Sequence, residues 1–156
     1  IARRIVIHAA EDVGLADPMA LVLANAAFQA SELIGWPEAR IPIAEAAIYI
    51  AGAHKSNSVI KAIDAALEDV RSNKSIPVPS HLKDSHYTGS EKLGRGKDYQ
   101  YTHDYAGNFV AQDYLGAKRR FYEPTEQGVE KKIKARVDYW REQFARLSDG
   151  KRESKK

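Results

Sequence analysis

The stretch from Asp17-Pro18 to Ile34 constrains this chain most. Leu21, Val22, Leu23, Ala26, Ala27, Phe28 and Ala30 surround a 3.6-residue helix with apolar side chains on nearly every side. Asp17 offers an N-cap oxygen, and Pro18 occupies the first helical position, where its missing N–H does no harm. Such a helix is either central in a core or covered by a partner chain, and its alanines permit close approach. A chain of 156 residues has few places where its own elements can enclose a helix. Self-association through apolar helix surface in the N-terminal half is therefore expected.

The neighbouring segments read the same way. Ala2, Ile5, Val6, Ala9, Ala10 and Val13 recur at spacings of three and four, with Gly14 as the stop. After Gly35-Trp36-Pro37, a third helix around Pro42 to Ala53 buries Ile43, Ala46, Ala47, Ile50 and Ala51. A fourth, capped by Ser56 or Asn57, carries a Val59, Ile63, Ala66, Leu67 and Val70 stripe that ends near Asn73. The all-helical pattern stops at Ile76-Pro77-Val78-Pro79, where each proline favours extended backbone.

From Ser80 to Tyr122 periodicity is lost. Tyr87, Tyr99, Tyr101, Tyr105, Tyr114 and Tyr122 fall here, and are expected to bury their rings and tie irregular loops onto a helical body, with room for a short hairpin near Phe121. Thr125 then caps a last helix through Val129, Ile133, Val137, Trp140, Phe144 and Leu147, which Asp149-Gly150 ends. The expected organisation is thus a mainly helical, all-α domain over 1–147, made of a helical core (1–73), an irregular segment (74–124) and a last helix (125–147). A charged, disordered tail follows over 148–156.

Charge and composition narrow the function classes. Residues 1–116 carry 11 basic and 14 acidic side chains, and 117–156 carry 13 and 7, so an acidic partner or nucleic acid suits the C-terminal part better. Cysteine is absent, so there is neither a disulfide framework nor a thiolate nucleophile, which fits a reducing cytosol. No stretch reaches the roughly 20 apolar residues of a membrane span. The start at Ile1-Ala2-Arg3-Arg4, without an initiator Met and already in a helical pattern, is expected of a piece of a longer protein.

The sites that chemistry would need are incomplete. Gly89-Ser90-Glu91-Lys92-Leu93-Gly94-Arg95-Gly96 lacks the Lys and Ser or Thr that a phosphate-binding loop needs after its second glycine, and reads as a turn. His81, Asp84 and His86 match no metal spacing, so no metal is expected. Glu11-Asp12 beside Asp17, and His103-Asp104, lack an evident nucleophile and read as capping or pairing groups. Tyrosines interleaved with Arg95, Lys97, Lys118, Arg119 and Arg120 make a candidate single-strand DNA surface of stacking rings and phosphate contacts.

Five ordered motifs resemble one family. They are Ala10-Glu11-Asp12-Val13-Gly14-Leu15-Ala16-Asp17-Pro18, Lys55-Ser56-Asn57, Val78-Pro79-Ser80-His81-Leu82, Tyr101-Thr102-His103-Asp104-Tyr105 and Tyr122-Glu123-Pro124-Thr125-Glu126-Gln127-Gly128. From Ile1 to roughly Ala145 the chain is similar to the C-terminal domain of the RarA/MgsA family, AAA+ ATPases related to clamp loaders and to the Werner-helicase-interacting protein. It departs from the family's pattern at Ala10, where serine is expected, and at His54, where proline is.

The resemblance implies a clamp-loader-collar-like helical bundle that holds subunits together, commonly as a homotetramer. It also implies a DNA-dependent ATPase acting at stalled or gapped forks, with the ATP and magnesium site upstream, no cofactor in this chain, and single-strand DNA-binding protein as a partner. The implied location is the bacterial cytoplasm, at the nucleoid. Within the motifs, Asp12, Gly14, Asp17, Pro18, Lys55, Ser56, Asn57, His81, His103, Asp104, Pro124, Thr125 and Gly128 are expected in structural or interaction roles. Three readings stay open: an assembly module without a catalytic centre, a DNA-binding module, and a small hydrolase.

Overall fold

The structure, a computed structural model, describes residues 1–72, 77–116 and 119–153. Its α-helices are α1 (Ala2–His8), α2 (Met19–Ile34), α3 (Arg40–Gly52), α4 (Ser58–Ser72) and α5 (Glu130–Glu153). The fold is all-α, and no strand occurs among the described residues, so the hairpin near Phe121 does not form. Rather than pairing with a second strand, the hydroxyls of Tyr122 and Thr125 turn to the side chain of Glu130. The chain divides into two compact units: Ile1–Glu68 with Phe121–Arg136, and Asp69–Arg120 with Val137–Lys156.

In the first unit α1, α2 and α3 pack on one another. The periodicity of the first segment is realised as α1 followed without a break by a π-helical turn, Ala9–Val13, which stops at Gly14. Gly14 has φ +53°, and a Cβ there would lie 2.8 Å from the carbonyl oxygen of Ser56, so only glycine fits. Asp17, extended at φ −148°, starts α2: its carbonyl accepts the amide of Ala20 at 3.0 Å and its Oδ1 that of Met19 at 3.2 Å. α3 begins two residues before Pro42. The proline thus lies in the first turn, where no amide donor is required.

The core of this unit is small: Ala9, Val13, Ala20, Ala24 and Ile50, with Ile5, Val6 and Ala53 against it. α2 buries Ala20, Ala24 and Ala27, one stripe at helical spacing. Its larger side chains lie on the other side, with Val22 60% and Leu33 88% exposed. α3 does the same, burying Ala46 and Ile50 while Ile48 is 73% exposed. In α4 the expected stripe of Val59, Ile63, Leu67 and Val70 is likewise exposed rather than buried. Periodicity places a stripe on one face; it does not say whether that face meets this chain.

The irregular part of the second unit contains four short 3₁₀ turns: Ser80–Leu82, Glu91–Leu93, Thr102–Asp104 and Ala106–Asn108. Phe109 stacks on Trp140 with ring centroids 4.6 Å apart, and Tyr139 meets Trp140 edge-on. Of the six tyrosines, Tyr122 ties to Glu130 as expected, and the other five stay largely at the surface. Tyr87, Tyr99, Tyr101, Tyr105 and Tyr114 are 40 to 54% exposed. Main-chain and polar bonds hold the loops instead, among them Gly96 N–H to the Ser80 carbonyl at 2.9 Å and the Ser90 hydroxyl to the Ser85 carbonyl at 2.8 Å.

The last helix departs from expectation at both ends. Thr125 is not its cap, since α5 begins at Glu130. Asp149-Gly150 does not end it either: the helix runs on to Glu153. Lys, Arg and Glu are good helix formers, and one interior glycine costs only about 1 kcal/mol. The expected tail residues 154–156 lie outside the described residues.

Candidate functional site

The first unit closes around one buried carboxylate. Glu130, the first residue of α5, has no exposed surface. Its Oε1 accepts the hydroxyls of Ser58 at 2.5 Å and Tyr122 at 2.7 Å, and its Oε2 accepts that of Thr125 at 2.5 Å. Ser56 joins the network, donating to the Ser58 hydroxyl at 3.1 Å and lying 3.3 Å from that of Thr125. Burial acts to raise the Glu130 pKa, but the hydroxyl donors outweigh it and hold the group down at about 2. Burial and the bond to Glu130 push Tyr122 up to about 12.

A serine hydroxyl on a carboxylate has the outline of a nucleophile and base, but the chemistry is wrong. A general base works best with a pKa near the operating pH, and one of about 2 takes no proton at neutrality. The cluster is a structural lock between the start of α4 and the start of α5.

Three of the five motifs meet at this lock. Ser56 N–H donates to the Asp12 carbonyl at 2.8 Å, and Val129 N–H to the Ala16 carbonyl at 2.8 Å. Gly128, at φ +50°, passes so close that a Cβ would lie 2.2 Å from the Ala16 oxygen. Lys55 Nζ donates to the carbonyls of Ile50 and Ala53, both at 2.6 Å, and so terminates α3. The carbonyl of Asn57 accepts the amide of Lys61 in the first turn of α4, and Pro124, half-buried, precedes Thr125. Asp12 pairs with the ring of His8, while Asp17 Oδ2 accepts the Tyr49 hydroxyl at 2.8 Å; that bond raises the pKa of Tyr49. The acidic groups near Glu11 thus serve pairing and capping.

His81, His103 and Asp104 belong to the other two motifs, in the second unit. His103 stands 5.0 Å from the ring of Tyr101, and the amide of Asp104 closes a turn on the Tyr101 carbonyl. The Asp84 carboxylate accepts the backbone amide of His86 and meets its ring, contacts that lower its pKa. His81 does not join them: no group of three ligating side chains able to hold a metal occurs among the described residues.

Gly89 to Gly96 folds as turns, with Gly96 tight against Ser85, and no strand leads into it. These residues do not fit a nucleotide phosphate, since Arg95 and Gly96 stand where the lysine and hydroxyl would be needed.

Of the candidate DNA contacts, the guanidinium of Arg95 lies 5.5 Å from the ring centre of Tyr87, and Lys97 and Arg120 are exposed. Arg119 pairs with Asp69 at 2.7 Å, and Lys118 lies outside the described residues. A cavity of about 470 Å³ opens among Ser80, His81, Gly94, Lys97, Asp98, Gln100, Ala111, Gln112 and Asp113. Sequence reasoning missed Glu130, Ser58 and Gln112. A glutamate at a helix start normally faces solvent, and a lone glutamine in a loop carries no signal of burial.

The chain matches over residues 1–141 the family described as MgsA AAA+ ATPase C terminal. It belongs to that family. The family's proteins are AAA+ ATPases, and this chain is their C-terminal part. The chain is 48% identical over 131 residues to "Replication-associated recombination protein A" of Bacillus subtilis (strain 168), covering 82% of this chain and 31% of that protein. Its namesake from Escherichia coli (strain K12) is 38% identical over 147 residues, 92% of this chain and 33% of that protein. "ATPase WRNIP1" of Dictyostelium discoideum is 42% identical over 116 residues, 74% of this chain and 13% of that protein. The chain therefore spans about a third of the length of the bacterial relatives. No described helix is long and apolar enough to cross a membrane.

Proposed function

We propose that this chain is the assembly and interaction domain of a replication-associated AAA+ ATPase, joining subunits into a tetramer and catalysing nothing itself. The observation that carries this reading is the inversion of α2, which buries alanines and exposes Met19, Leu21, Val22, Leu33 and Ile34. Ile41 and Ile48 of α3, which packs on α2, are exposed as well, and exposed apolar side chains on neighbouring helices are what an interaction surface presents. A second copy of the same surface hides it with a closed symmetry.

On this reading the ATP and magnesium chemistry resides in the rest of the longer protein, which works on stalled or gapped forks in the bacterial cytoplasm, at the nucleoid, with single-strand DNA-binding protein as a partner. Light scattering over a concentration series tests the assembly. Val22→Glu should lower the mass without unfolding the chain, because that side chain lies outside the core.

A second reading, binding of single-stranded DNA by the second unit, is favoured by the exposed tyrosines and by the Arg95–Tyr87 contact. A small hydrolase has no such support.

A further inference from the structure

Gln112 is a polar residue only 7% exposed, fixed in the wall of the 470 Å³ cavity. Its Oε1 accepts the backbone N–H of Gln100 at 3.1 Å; since an N–H can only donate, this contact fixes which end of the amide is oxygen. Its Nε2 donates to the Tyr114 hydroxyl at 3.3 Å. An amide has two N–H groups and two oxygen lone pairs, so one of each remains uncommitted. His81 lines the same cavity, and its Nε2 is buried without a hydrogen-bond partner. A buried ring nitrogen left without a partner is rare in folded proteins, and this one lies in the same cavity wall as the spare donor and acceptor of Gln112.

The surroundings select the ligand. The volume lies within the range of small-ligand clefts. Exposed Lys97 supplies a cation, and the exposed rings of Tyr99 and Tyr114 flank lining residues in the chain. Asp113 Oδ1 accepts the amides of Leu115 and Gly116, and the carboxylates of Asp98 and Asp113 both repel phosphate, so the cavity suits a neutral group and leaves the phosphate to Lys97 at its edge. A glutamine amide offering one donor and one acceptor pairs with the N6 and N7 edge of adenine. We propose that this cavity takes an unpaired base of a single-stranded nucleic acid, adenine in preference, with Gln112 reading its edge and Lys97 holding the adjoining phosphate. The proposal rests on the second reading above and goes further by naming the pocket and the base.

Fluorescence anisotropy of this chain with labelled oligo(dA) and oligo(dT) of equal length, over a salt series, tests it. Oligo(dA) should bind about tenfold more tightly. Gln112→Glu still accepts the Gln100 amide and the Tyr114 hydroxyl but offers no N–H, so it should abolish the preference while leaving the melting temperature near that of the parent. Lys97→Ala should weaken both oligonucleotides alike and reduce the salt slope by about 0.7. Equal binding of the two oligonucleotides by the parent chain, or a preference that survives Gln112→Glu, overturns the base pocket while leaving single-strand binding intact. Binding of neither overturns both.

Discussion

At the scale of single residues, Glu130 sets the behaviour of the first unit. Removing its carboxylate by Glu130→Ala strands the buried hydroxyl of Ser58 and the part-buried ones of Tyr122 and Thr125, and should destabilise the unit by about 3 kcal/mol in chemical denaturation. The same group confers a pH dependence. Its folded pKa of about 2 lies below the ordinary 4.5, so the stabilisation is complete above pH 4.5 and is lost as pH falls toward 2. A melting temperature that stays flat across that window in the parent, or falls equally in Glu130→Gln, contradicts the lock. Gly128→Ala must place a methyl group against the Ala16 carbonyl at a positive φ, and should cost about 2 kcal/mol or more, read by the same denaturation. The sequence singled out Thr125 and Gly128 but not the Glu130 carboxylate that Thr125 serves. Thr125 looked like a helix cap because a threonine before a long apolar repeat ordinarily is one; the partner that claims its hydroxyl lies five residues on.

At the scale of elements, what local spacing controls was legible and what contact controls was not. The start of α2, the stop at Gly14 and the break at Pro77 to Pro79 follow from a capping group, glycine and proline acting on their own backbone, whereas α3 begins at Arg40, ahead of Pro42, without a side-chain cap. The stripes of α4 and α5 were seen, but burial depends on what lies opposite. The same holds for the tyrosines, whose 40 to 54% exposure turns an expected anchor into available ring surface. Of the candidate site, the motif residues that make backbone contacts, Gly14, Lys55, Ser56 and Gly128, were found by resemblance. Their chemistry became visible only when Asp12, Ala16 and Glu130 were placed beside them. If ring surface matters, replacing Tyr99 and Tyr114 together by Leu should weaken single-strand binding at least tenfold, as gel-shift titration would show, at a loss of about 1 to 3 kcal/mol per stacked base.

For the molecule as a whole, the central claim is that the small alanine core of the first unit and its outward-facing apolar side chains are two halves of one design. Alanines let α1, α2 and α3 approach closely, and the larger residues lie on the outer side, where the proposed tetramer covers them. Each Å² of this apolar surface covered by another subunit would contribute about 25 cal/mol toward the proposed oligomer. The most direct test is the mass of the chain in solution by light scattering across a concentration series, for the parent and for Val22→Glu. A tetrameric mass is expected for the parent and a lower one for the variant, with an unchanged helical spectrum. A parent that stays at 17.4 kDa at the highest concentration contradicts it.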